Sequence, residues 1–291
     1  MVYAKAPTVE DIMTTDIIRY NEDYKDRLKK ICERLDITYL PDREGKNFYQ
    51  FIPDDKNPRF KKLNEDDEKI KRRRTSPDKK IFSEEIFEQF KGLKGGDDVK
   101  TLFVYDHSEL VGIMHFSDYN SEPAFVYLYS LLFNFENKLR KLLELSGKKN
   151  EDIIEFFGKK LKEVTDKDER KFYERAYGRF IDKKTEEIKD DMKEKMDAVS
   201  EFQWFYLKEL ISFINENKLD KIGSLDPQGK INDLRNTVMH SKNAVKEESN
   251  NNDKPIVLYD FKSFIEFIEA YEELIWSLSE VGILIEKGAL F

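Results

Sequence analysis

Near residues 120–123 the rhythm of apolar positions changes, and that change constrains the fold more than any other feature of the chain. Before it, short runs rich in β-branched and aromatic residues stand between segments of helical spacing, the pattern of an α/β chain. After it, apolar positions recur at threes and fours almost to the end, a spacing that places them along one face of a helix. The expected fold class is therefore α+β, with an N-terminal α/β domain over residues 1–122 and an all-α bundle over residues 123–291.

Within the first part, residues 8–14 begin with a residue suited to cap a helix, residues 16–20 are strand-like, and residues 23–35 have helical spacing. Residues 37–42 read as a strand entering a turn and residues 47–52 as its return. A second cycle follows, with a helix over 82–90, a strand over 101–105, a turn over 106–109 and a returning strand over 110–115. The order amounts to a degenerate internal duplication. In the second part, residues 125–145 form a first long helix, and residues 148–200 form a highly charged insertion. Ile153, Phe156, Phe157, Tyr173 and Phe180 are spaced through it, so it reads as helical rather than disordered. Residues 202–214 read as an apolar helix containing Trp204, residues 223–229 as a loop, and residues 247–254 as a polar loop. Residues 261–278 close the bundle with a stripe of Phe261, Phe264, Phe267 and Tyr271.

The chemistry-bearing residues concentrate in Ile231-Asn232-Asp233-Leu234-Arg235-Asn236-Thr237-Val238-Met239-His240, which holds one of only three histidines. Ile231, Leu234 and Val238 mark the buried stripe of a helix, and Asp233, Asn236 and His240 fall together on the opposite face. Arg235 stands to one side, offset from His240 by about 140° on an ideal helix. Histidine moves protons near neutrality, and arginine holds phosphate oxygens with a fork of donors. Together they suit phosphodiester cleavage without a metal, His240 as general acid or base, Arg235 stabilising charge on phosphorus, and Asn236 orienting the imidazole or the ribose. The same residues also suit an ordinary solvated helix face.

This element resembles the signature of the HEPN superfamily, whose ribonucleases carry Arg, a polar residue that is often Asn, and His in the form R-x4-6-H. Arg235, Asn236 and His240 match all three positions, with four residues between Arg and His. In the family an earlier helix supplies a Glu and often an Arg, and Glu136 and Arg140 in Phe135-Glu136-Asn137-Lys138-Leu139-Arg140 resemble that pair, although an i, i+4 surface ion pair is their plainer reading. The resemblance covers roughly residues 123–285. It implies a metal-independent endoribonuclease in which the ribose 2′-hydroxyl attacks the adjacent phosphate, with no cofactor for catalysis and a homodimer that joins two such elements in one cleft. Glu136 would position Arg235.

The N-terminal order resembles a tandem pair of CBS motifs, which commonly bind adenine nucleotides. Val9-Glu10-Asp11-Ile12-Met13-Thr14 resembles the opening of the first motif. The run from Val104 through Gly112 to Asp118 resembles the close of the second. The family usually has Ser or Thr three residues before the Asp. Here His115 stands at that place, Asp118 matches the Asp, and the first repeat lacks the corresponding motif. The resemblance implies a regulatory adenine nucleotide at Asp118 and His115. Asp118 as a helix cap and His115 as a packing residue are the alternatives.

The net charge of −8 argues against a protein that binds nucleic acid over its whole surface, so any RNA must meet a local basic patch. Lys69-Ile70-Lys71-Arg72-Arg73-Arg74, with Lys79 and Lys80, is the candidate, as a phosphate-holding run or a solvated loop. The lone Cys32 excludes an internal disulfide and a cysteine-based metal site, and its helical setting predicts a small buried residue. No apolar run approaches the ~20 residues of a membrane span, and a cytoplasmic location is expected. A sensor module ahead of a nuclease suggests a stress, toxin or antiphage role, with RNA as substrate and an antitoxin protein as a further partner. The competing class is a non-catalytic nucleotide-binding or dimerisation protein.

Overall fold

Helices and strands alternate through the first 115 residues of the computed structural model, which describes residues 4–35, 37–54, 57–92, 101–182, 184–219, 224–240, 247–248 and 258–287. After a 3-10 turn at Glu22–Tyr24 come α1 (Lys25–Leu35), β1 (Tyr39–Pro41), β2 (Asn47–Ile52), β3 (Arg59–Asn64), α2 (Glu68–Lys71), β4 (Arg74–Thr75), α3 (Glu84–Lys91), β5 (Thr101–Asp106) and β6 (Glu109–His115). A second 3-10 turn, Phe116–Asn120, leads into α4 (Glu122–Leu145), α5 (Asn150–Glu163), α6 (Lys167–Phe180), α7 (Asp190–Asp197), α8 (Leu207–Glu216) and α9 (Lys230–Met239). The short strands β7 (Glu247–Glu248) and β8 (Leu258–Tyr259) pair before α10 (Phe261–Glu286). The molecule is mixed α+β, and the change to helices falls where α4 begins.

The chain divides into two compact units, each discontinuous in sequence: Met1–Ser130 with Asn236–Glu269, and Leu131–Arg235 with Ala270–Phe291. These units cut α4, α9 and α10 internally, whereas the sequence places a single boundary after residue 122.

In the first unit, β1, β2 and β3 form an antiparallel sheet in that order, and β4 runs parallel to β5, which pairs antiparallel with β6. The β1–β2 turn is closed by Asp42, whose carboxylate accepts the Lys46 N–H at 3.0 Å and the Asn47 side-chain amide at 2.6 Å. Gly45 sits in that turn at φ +74°, and a Cβ there would lie 2.7 Å from Leu110, so both conformation and space call for glycine. Tyr39, Phe48, Leu63, Ile70, Phe103, Tyr105 and Leu110 fill one core cluster. Cys32 packs with Leu28, Leu40 and Phe51, and burial pushes its thiol up to about 12, which suits the packing role its spacing predicts. Further along, Phe82, Phe90, Phe116 and Tyr119 meet Phe264 and Phe267 of α10, with ring centroids 5.1–6.3 Å apart.

Two expectations fail here for local reasons. Residues 8–14 form turns rather than a helix, because Asp11 accepts both the Thr8 N–H and its hydroxyl. Residues 16–20 join no strand, although the Tyr20 N–H donates to the Pro41 carbonyl at 2.7 Å; Thr8 and Thr14 pair in isolated bridges with Lys80 and Ile113. Strand β3 is additional to the sequence reading.

In the second unit, the charged insertion is helical, as expected, in α5, α6 and α7. Asp166 caps α6 through the amides of Asp168 and Glu169 at 3.0 and 2.9 Å. Phe156, Phe157, Tyr173, Phe205 and Phe213 interlock at 5.4–6.2 Å. Gly158 of α5 lies against Tyr177 of α6, where a Cβ would come within 2.9 Å of the ring. The helix expected over 202–214 starts later, at Leu207. Phe202 adopts φ 65° and donates its N–H to Asn150 Oδ1 at 2.9 Å, which fixes a turn before α8. Of the loop expected over 223–229, residues 224–229 are described and non-helical; of the polar loop over 247–254, all but residues 247–248 lie outside the described residues.

Candidate active site

Helix α9 is set in place by the turn Asp226-Pro227-Gln228-Gly229. Asp226, at φ 47°, accepts the amides of Ile231 and Asn232 at 2.9 and 3.1 Å, satisfying two otherwise orphaned donors of the first helical turn. Burial raises its carboxyl above the usual range, while those two hydrogen bonds pull it down. Gly229, at φ +74°, returns its N–H to the Asp226 carbonyl at 3.0 Å. The helix is two-faced as its spacing predicts: Ile231, Leu234 and Val238 are buried, and Asp233, Asn236 and His240 are exposed.

In the second unit, Glu136 lies between two arginines. Its Oε1 accepts from Arg235 Nε at 3.4 Å and its Oε2 from Arg140 Nη2 at 3.2 Å. Glu136 and Arg140 are each only 8% exposed, so this is no surface pair. The Arg140 guanidinium also donates to the Phe202 carbonyl at 3.2 Å, to Asn137 Oδ1 at 3.3 Å and, at a longer 3.5 Å, toward the Phe205 carbonyl. The two guanidinium groups share this one carboxylate. Arg235 keeps 23% of its side chain exposed.

Asn236 and His240 belong to the first unit. The His240 amide donates to the Asn236 carbonyl at 3.2 Å, so the helical hydrogen-bond pattern continues one residue beyond Met239. The structure thus brings Glu136, Arg140 and Arg235 together and leaves Asn236 and His240 as solvent-facing neighbours on one side of α9.

At the end of β6, His115 and Asp118 are tied to each other. Asp118 Oδ2 accepts the His115 N–H at 2.7 Å, and His115 Nδ1 lies 2.6 Å from Ser117 Oγ and 3.3 Å from the Ser117 amide. This reciprocal cap starts the 3-10 turn. Burial pushes the Asp118 carboxyl from an ordinary 3.8 up to about 6, against the lowering effect of the His115 amide. His107 occupies the β5–β6 turn at φ 54°, exposed, with Nδ1 2.8 Å from Asp106.

The basic run at residues 69–74 is neither a loop nor a free patch. It forms α2 and β4, with Lys71 on Asp66 at 3.2 Å, Arg72 within 4.0 Å of Glu68, and Arg74 on Glu65 at 3.1 Å. Arg73 is buried over the Tyr39 ring, and Arg74 lies over that of Tyr105. Lys79 pairs with Glu85 at 2.7 Å. Sequence reasoning missed Asp226, although an Asp three residues before a Gly at a helix start is a recognisable cap signal. It also missed the carbonyls of Phe202 and Phe205, which no pattern of side chains encodes. No protein-family model matches the chain, and neither a curated protein nor a solved structure matches it.

Proposed function

We propose that the chain is a metal-independent endoribonuclease built on the Arg235, Asn236 and His240 element. The observation that carries this reading is the Glu136–Arg235 contact: the arginine of the motif is held by a buried glutamate from α4, itself fixed by Arg140. A guanidinium oriented in this way is pre-organised for a phosphorane. In the proposed reaction the ribose 2′-oxygen attacks the adjacent phosphorus and the 5′-oxygen leaves, giving a cyclic phosphate and a free 5′-hydroxyl. His240 handles the protons, Arg235 stabilises the charge on the phosphoryl oxygens, Asn236 assists, and Glu136 positions Arg235. An ideal helix sets Arg235 and His240 about 140° apart, so the reading calls for two copies of the chain, each completing the other's cleft. Val126 and Tyr129 are exposed on α4, which supports pairing through an apolar surface.

Regulation by an adenine nucleotide at Asp118 and His115 belongs to the same proposal, as does a stress, toxin or antiphage role with an antitoxin protein as partner. A ligand at Asp118 has to share or displace the His115 N–H. That tie favours a second reading as well, in which the module binds no nucleotide and the protein serves assembly alone. The test is cleavage of varied RNAs in EDTA, with and without adenine nucleotides. Cleavage that disappears in both Arg235→Ala and His240→Ala, with the fold intact by circular dichroism, is the expected result. No cleavage of any RNA favours the assembly reading, and nucleotide binding undiminished in Asp118→Ala removes Asp118 from the sensor.

A further inference from the structure

We propose that strand β3 and the tyrosines packed beside it form a docking surface for single-stranded RNA; this rests on the nuclease reading for the choice of RNA. The strand reads Arg59-Phe60-Lys61-Lys62, and Arg59, Lys61 and Lys62 are all exposed. It is an edge strand, paired only with β2 among the described residues. The cross-strand register sets Lys62 beside Tyr49 on one face, and Lys61 and Arg59 beside Gln50 and Ile52 on the other. Tyr49 stacks on Tyr20 with centroids 3.5 Å apart and planes 8° from parallel, and Phe60 meets Tyr20 edge-on at 5.1 Å. All three rings are half-buried, so each keeps surface in reach of solvent.

Charge selects the occupant. The cations of residues 71–74 are engaged by carboxylates or aromatic rings, but Arg59, Lys61 and Lys62 engage no carboxylate among the described residues. Three cations within four residues that engage no carboxylate among the described residues, on a chain of net charge −8, form a local attraction for a polyanion. The rings of Tyr49 and Phe60 lie on the Lys62 face, with Arg59 and Lys61 on the opposite face of the same edge strand; rings beside cations fit unstacked bases, which a duplex does not offer. The plainer role of such lysines is to block strand addition at a sheet edge, and that role needs no RNA.

The experiment uses the full chain carrying His240→Ala, so that RNA stays intact, and follows the anisotropy of a labelled single strand of about 12 nucleotides. Three phosphate contacts predict a log–log salt slope near −2, at about 0.7 per contact on single strands. Arg59→Gln, Lys61→Gln and Lys62→Gln together should flatten that slope and weaken binding by roughly tenfold or more at low salt. Lys61→Arg with Lys62→Arg should retain binding. Tyr49→Leu should weaken it several-fold with the slope unchanged. Binding of equal affinity and slope in the triple glutamine variant, with its thermal transition preserved, would overturn the proposal. So would equal binding of a blunt RNA duplex, or displacement by polyglutamate at equal charge, which would assign the edge to an acidic protein. If single-stranded RNA binds here but the wild type cleaves nothing, the nuclease reading fails and the surface stands; wild-type cleavage unaffected by the triple variant gives the reverse.

Discussion

Arg140 and Arg235 share one carboxylate and differ in what they hold. Arg140 satisfies Glu136 and the backbone of the turn before α8 from a buried position, so Arg140→Ala strands a buried charge and leaves the Phe202 carbonyl without that donor. A loss of about 3–5 kcal/mol in urea unfolding is expected. Arg140→Lys should recover little, because one ammonium cannot reproduce the planar fork. Arg235 is partly exposed and, of the two, the more distant from Glu136, so Arg235→Ala should cost only about 1 kcal/mol. The difference makes the two arginines separable: loss of RNA cleavage in Arg235→Ala at near-native stability marks a role in the chemistry, whereas loss in Arg140→Ala reports on the fold. Glu136→Gln, which keeps the shape and removes the charge that offsets buried Arg140, should lower cleavage and also lower the unfolding midpoint.

Elements here are fixed by side chains reaching back to amides. Asp226→Ala removes the acceptor for two amides of α9 and should cost about 1 kcal/mol, read as a lower unfolding midpoint. The cap at the end of β6 is sensitive to pH. Because the fold raises the Asp118 pKa, the neutral acid is the form the folded state prefers. Its contribution is fully present below the ordinary 3.8 and is lost as pH rises through about 6. Asp118→Asn keeps an oxygen for the His115 amide and never ionises. It should therefore gain on the order of 1–3 kcal/mol relative to wild type between about pH 4 and 7.5, compared by denaturant midpoints. A constant difference across that range would refute the assignment. The hairpin of β5 and β6 was legible because Leu102, Val104, Leu110 and Met114 supply apolar runs bounded by a turn. Strand β3 was not, since an edge strand studded with lysine shows only Phe60 and Leu63 as apolar markers. The two faces of α9 were legible from spacing alone. The Glu136–Arg235 contact joins residues far apart in sequence, so only the resemblance could suggest it.

At the scale of the molecule, the first unit draws Phe264 and Phe267 from α10 into the ring cluster around Tyr119. Phe264→Ala should cost about 3–5 kcal/mol, as for a fully buried aromatic ring. A fragment of residues 1–122 lacks both rings and should show no cooperative thermal transition by circular dichroism; a sharp transition would support the single boundary that the sequence suggests. The chain order of the two units has a further consequence during synthesis. A ribosome that has made Met1–Ser130 must produce the whole of 131–235 before the segment that completes the first unit emerges, a delay on the order of ten seconds at ordinary elongation rates. Throughout that interval Phe82, Phe90, Phe116 and Tyr119 have no α10 against them. The newborn polypeptide should accordingly depend on chaperones, or on slowed translation, more than its modest size would suggest.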